Sequence, residues 1–239
     1  MTPRPNGKTP SSLSSSPPPP PTTLTKTRTR ATVTAVPGWS HTPSLLTLAW
    51  LAVSVPLVAW DTGYVLLRPL SMPGGSLHWP VWAPYALYGN VDHMYGFKQW
   101  NLNNGFTAAQ SVLNVVESLA YVVYAALWVA HVRKTTAAAG GSAKAGGLTG
   151  RTGALAVLVL FAGVVMTLSK TALYWLNESF SGFDNIGHNE PLQLLFLWII
   201  PNGLWLVFPA IITYTIGSEI VEGLVKASAP VSSRTIKGE

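Results

Sequence analysis

Apolar residues run in four windows, 45–67, 107–132, 153–176 and 192–216, each long enough to cross about 30 Å of hydrocarbon as a helix. The second window is not uniformly apolar. Gln110, Asn114, Glu117, Tyr121, Tyr124 and Trp128 recur at steps of three or four, so they form one stripe of a 3.6-residue helix. Val112, Leu113, Val115, Val116, Val122 and Val123 occupy the other faces, which suits lipid or packing. The first window carries a comparable stripe of Trp50, Ser54, Leu57, Asp61, Tyr64 and Arg68. The third carries Thr167, Lys170, Thr171, Tyr174 and Glu178. The fourth has Trp198, Asn202 and Trp205, with Pro201 and Pro209 able to interrupt backbone bonds locally. The pattern predicts an all-α integral membrane protein, a four-helix transmembrane bundle whose polar–aromatic faces enclose an amphipathic ligand cavity.

The segments between the windows divide the chain further. Residues 1–40 are rich in Pro, Ser and Thr, a composition that cannot bury a core, and read as a disordered tail. A four-span domain over 41–222 follows, and a short polar tail over 223–239 closes the chain. Residues 135–152, rich in Ala and Gly, read as a flexible linker. Residues 69–105 hold Trp79, Trp82, Tyr85, Tyr88 and Tyr95, aromatics suited to the membrane–water interface, and predict a partly structured cap with short helices or a hairpin. Trp50, Trp128 and Trp175, near window ends, read as interface anchors.

Charge sets the orientation. The net charge of +6 comes from Arg4, Lys8, Lys26, Arg28 and Arg30 in the first tail and from Arg133, Lys134, Lys144 and Arg151 in the middle loop, both free of acids. The loop after the first window has Arg68, Lys98 and Asp92, and that after the third has Glu178, Asp184 and Glu190. The positive-inside rule then places both termini and the middle loop in the cytosol. The basic charge is therefore topological, and no nucleic-acid partner is expected. With no cysteine in the chain, disulfides, thiolate metal sites and a Cys nucleophile are excluded.

Two acids stand inside the windows. A carboxylate in hydrocarbon costs roughly 2.5–3.5 kcal/mol unless it faces a polar interior or a partner, so Asp61 and Glu117 are candidate functional groups. Lys170 has two readings, snorkelling to the interface or pairing with one of these acids. Asn202 is a site residue or a hydrogen-bonding tie between helices. Tyr64, Gln110, Asn114, Tyr121, Lys170, Tyr174 and Trp198 line the same inward faces and are candidate ligand contacts. His93 and His188 fall in loops without metal-ligand spacing, and no phosphate loop, nucleophile elbow or redox motif occurs, so neither a metal nor a cofactor is expected. What remains is proton chemistry on an apolar ligand, or its binding.

The run over 173–209, LYWLNESFSGFDNIGHNEPLQLLFLWIIPNGLWLVFP, resembles the EXPERA superfamily, and most closely the emopamil-binding-protein sterol isomerases. The positions that carry the resemblance are Leu173, Tyr174, Glu178, Gly182, Phe183, Pro191, Asn202, Trp205 and Pro209. Upstream, YGNVDHMY over 88–95 is similar to the family's Tyr-x-x-x-Asp-x-x-Tyr element. Glu117 resembles its membrane glutamate, and Asp61 its first-helix acid.

The resemblance implies an enzyme of the endoplasmic reticulum that shifts a sterol ring double bond from the delta-eight to the delta-seven position. One alkene carbon is protonated, a tertiary carbocation forms and a neighbouring proton leaves, with no cofactor. Carried across by position, the implied catalytic residues are Asp61 as proton relay, Glu117 and Asn202 as the polar centre and Trp205 as the face toward the cation. Expected partners are membrane lipid, a sterol or related terpenoid and amine-type ligands that mimic the cation, and the assembly state is open, a homodimer included. The pattern departs from the family at Leu57, where characterised isomerases have a histidine, and at Lys170, where a small residue is usual. Residues 96–105 form an insertion, and the usual isomerases have an extra leading span. These departures keep two other readings in play, a non-catalytic sterol or lipid binder and an isomerase of another terpenoid.

Overall fold

A computed structural model describes residues 39–138 and 146–228. Of the expected tails over 1–40 and 223–239, residues 1–38 and 229–239 lie outside the described residues, as does the centre of the expected linker, 139–145. Ser40 belongs instead to a short strand and residues 223–228 to the end of the last helix. Among the described residues, four helical stretches are long and apolar enough to cross a membrane. The protein is mainly helical.

Helix α1 spans Leu45–Leu66, and the Ser44 side chain caps it by accepting from the Thr47 N–H at 3.0 Å. Helix α4 spans Phe106–Ala138 and α5 spans Gly150–Phe180. Between α1 and α4 lie turns and two short helices, α2 (Tyr85–Val91) and α3 (Phe97–Asn101), so the expected cap is built of turns and short helices rather than a hairpin. The last span is composite: α6 (Pro191–Leu194), a π-helical turn over Leu195–Ile199, then α7 (Ile200–Ser228). Pro201 explains the interruption, because it has no N–H to give the carbonyl one turn back, and a widened turn absorbs the missing bond. Pro209 sits within α7 without ending it.

The predicted stripe on α4 is the buried face. Asn114, Glu117, Tyr121 and Tyr124 are buried, while Val112, Leu113, Val115, Val116, Val122 and Val123 are 42–55% exposed. The α1 stripe is less regular. Trp50, Ser54 and Tyr64 are buried, but Leu57 is 44% exposed and Val58 takes the inward position. The reading of Trp50 as an interface anchor is also corrected. It is 5% exposed and packs edge-on against Trp205, with centroids 5.1 Å apart, in a core with Leu51, Tyr121, Leu160 and Ile212. Helices α4 and α5 approach closely at Gly163, where a Cβ would stand 2.8 Å from the Tyr121 ring, so a side chain there would push the helices apart.

The end of the bundle away from the cap holds a small antiparallel ladder that the sequence reading missed. Strand β1 (Ser40–His41) pairs with β2 (Leu148–Thr149), Ser40 opposite Thr149 and His41 opposite Leu148. The expected linker over 135–152 is therefore structured at both ends: α4 continues to Ala138, and β2 leads straight into α5. Gly147 in it serves close packing, since a Cβ there would meet the His41 carbonyl oxygen at 2.9 Å. His41 is fully buried, its Nδ1 2.9 Å from Glu219 Oε2 on α7 and its Nε2 2.7 Å from the Tyr124 hydroxyl on α4. Those bonds tie the ladder to two spans.

Candidate functional site

At the cap end, α1, α2, α4, α5 and the last span surround a pocket of about 470 Å³. Asp61 from α1 lies in its wall, with Gln110 and Asn114 from α4 and Lys170 and Tyr174 from α5. Asn202 and Trp205 from α7 complete the predicted residues that line it. The cap adds Tyr85, Tyr88 and Tyr95, so much of the wall is phenolic and aromatic. Leu57 and Leu87, 44% and 54% exposed, stand at its apolar edge.

Tyrosines hold Asp61. The Tyr85 hydroxyl donates to Asp61 Oδ1 at 2.6 Å, and the Tyr95 hydroxyl lies 3.4 Å from Oδ2. Burial, and then the Asp61 carboxyl, push the Tyr85 and Tyr95 phenols well above their ordinary range, so both stay protonated as donors. Tyr64 supports this arrangement from behind. Its ring stacks on Tyr85 with centroids 3.8 Å apart, and its hydroxyl donates to the Tyr95 carbonyl at 2.8 Å.

Four predicted site residues stand outside the lining. Glu117 is 1% exposed and lies behind Lys170, whose Nζ is 3.2 Å from Glu117 Oε2 and also donates to Asn114 Oδ1. Tyr121 lies deeper still, its hydroxyl 2.5 Å from Thr167 Oγ1. Tyr64 and Trp198 are buried in the supporting wall. The reason is geometric: the α4 stripe continues inward from Gln110 and Asn114, whereas the pocket occupies only the cap end. The two readings of Lys170 resolve to pairing, and Glu117 becomes its buried counter-charge rather than a group facing the pocket.

A second carboxyl, not among the predicted site residues, organises the wall. Asp92 is fully buried at the end of α2 and accepts from the Tyr174 hydroxyl at 2.5 Å, the Trp198 indole N–H at 2.8 Å and the Met94 N–H at 2.9 Å. Burial outweighs these bonds and pushes its carboxyl up to about 6. The π-helical turn is what brings Trp198 to Asp92, and Asn202 then donates to the Trp198 carbonyl at 2.9 Å. Cap, α5 and last span are thus fastened at one point. The signal was present as the 88–95 element, but its tyrosines also fit the general reading of interfacial aromatics.

The pocket's wall is thus largely aromatic, with one carboxyl, the Lys170 ammonium and several neutral polar groups among its lining. Compared with protein-family models, with curated proteins and with solved structures, the chain has no match.

Proposed function

We propose that the chain is an integral membrane sterol isomerase of the emopamil-binding-protein type, with the pocket as its active site. The observation that carries this reading is that Asp61, Asn202 and Trp205, far apart in sequence, line one pocket of ligand size. In this mechanism Asp61 delivers a proton to one carbon of the ring alkene, and Trp205 offers an electron-rich face to the tertiary cation. The C–H electron pair of the neighbouring carbon then forms the new double bond, and its proton leaves to the Asp61 carboxylate freed in the first step, which exchanges it with water between turnovers. One proton enters and one leaves, so no cofactor is consumed. The loop charges support a location with both termini in the cytosol, and sterol chemistry of this kind supports the endoplasmic reticulum.

The test is expression in cells lacking delta-eight isomerase, followed by sterol profiling. Delta-seven sterols should appear. Persistent delta-eight sterols, with the protein made and folded, would refute the reading.

A second reading, binding of a sterol-like lipid without turnover, is favoured by one specific observation. The Lys170 ammonium lines the pocket even though Glu117 pairs with it, and Leu57 offers no proton carrier beside Asp61. Saturable sterol binding with no product would select it.

A further inference from the structure

The pocket shares two lining residues with a second hollow on the outer side of α4 and α5. That groove, about 490 Å³, is lined by Leu113, Met166, Ser169, Leu173 and Leu176, with Gln110 and Lys170 common to both. Leu113, Leu173 and Leu176 are 45–52% exposed, so this side of the helix pair is turned away from the bundle core. The Lys170 ammonium is engaged by Asn114 and Glu117. That charged bridge already joins α5 to α4, and one turn nearer the cap the shared wall is crossed by a neutral amide: Gln110 Nε2 donates to the Lys170 carbonyl at 3.1 Å. A single neutral hydrogen bond is a weak barrier.

The linings differ in kind. The pocket holds Asp61, Asn202 and the tyrosines, whereas the groove is aliphatic apart from Ser169 and the shared pair. We propose that Gln110 is a specificity-determining residue that sets ligand length: the ring nucleus occupies the pocket, and a hydrocarbon tail passes Gln110 into the α4–α5 groove. The inference rests on the sterol-type reading of the pocket and adds that the preferred ligand carries an aliphatic side chain.

Photo-crosslinking in nanodiscs tests it, with two sterol probes, one bearing a diazirine on the ring nucleus and one at the end of the side chain. Nuclear labelling of pocket residues such as Tyr88 or Trp205, with tail labelling of Met166 or Leu173, is the expected result. Gln110→Trp should lower tail labelling of the groove relative to nuclear labelling of the pocket. Gln110→Ala should raise the preference for a full-length sterol over a tail-less sterol by roughly tenfold, the effect of burying about two more methylene groups. Nuclear labelling in the pocket with tail labelling elsewhere would overturn the tail path and leave the pocket reading intact. Groove labelling that is undiminished in Gln110→Trp and is competed away by phospholipid would assign the groove to bulk lipid and overturn it too. Absence of nuclear labelling from the pocket would refute both.

Discussion

Replacing Lys170 with methionine would leave the Glu117 carboxyl, 1% exposed, without its cation. In the intact protein the two charges stand 3.2 Å apart, the lysine side chain is 11% exposed, and Asn114 supplies a further acceptor. Removing one partner of a buried pair costs about 3–5 kcal/mol, because the remaining charge is left uncompensated. The insertion cost of a carboxylate in hydrocarbon, roughly 2.5–3.5 kcal/mol, points to the lower end of that range. Glu117→Gln should cost a similar amount, since the Lys170 ammonium is then the orphan. Changing both, Glu117→Gln with Lys170→Met, removes both desolvation penalties and should fall within about 1 kcal/mol of the parent protein. The double-mutant cycle should therefore give a coupling of about 5 kcal/mol, read from SDS-induced unfolding in bicelles. A double variant as unstable as the two single changes added together would refute the buried pair. A harmless Lys170→Met would mean that the lysine reaches the interface instead.

Asp92 titrates near 6 in the fold against 3.8 for an unperturbed aspartate, so between these values the folded chain holds a proton that the unfolded chain has released. Stability from this group is therefore greatest at low pH and lost as pH rises; going from pH 7 to 5 should gain about 1 kcal/mol over Asp92→Asn, and equal pH responses would contradict it. Trp198→Phe deletes the indole donor to Asp92 and should cost about 1–3 kcal/mol in thermal unfolding in detergent; an unchanged transition would show the bond to be dispensable. Gly163→Ala sets a methyl 2.8 Å from the Tyr121 ring, which should strain the α4–α5 contact by about 1–3 kcal/mol in the same assay; a neutral result would mean that Tyr121 swings clear.

Helical period made the α4 face legible in the sequence. A carboxyl, an amide and two phenols at steps of three and four could hardly all face hydrocarbon, and they do not. The same reasoning gave the four long apolar helices to within a few residues of their starts, but it stopped the last three short, because their polar extensions are still helical. Depth along a helix was less legible. Periodicity says which way Glu117 points but not that the pocket ends above it, which depends on where Lys170 from α5 crosses. The cap was hardest. Tyr85 reaches Asp61 and Tyr174 reaches Asp92 only after the chain has turned back on α1, and such long-range pairings leave no local period. The β1–β2 ladder was hidden by composition, since Ala and Gly favour close packing as well as disorder.

In the proposed mechanism Asp61 carries a proton to a ring alkene held in this pocket. The most direct measurement incubates the purified protein in D₂O with a delta-eight sterol and weighs the product by mass spectrometry. Delta-seven sterol carrying one deuterium, absent with Asp61→Asn, is the predicted result. Unchanged substrate, product without deuterium, or full activity in Asp61→Asn would contradict it.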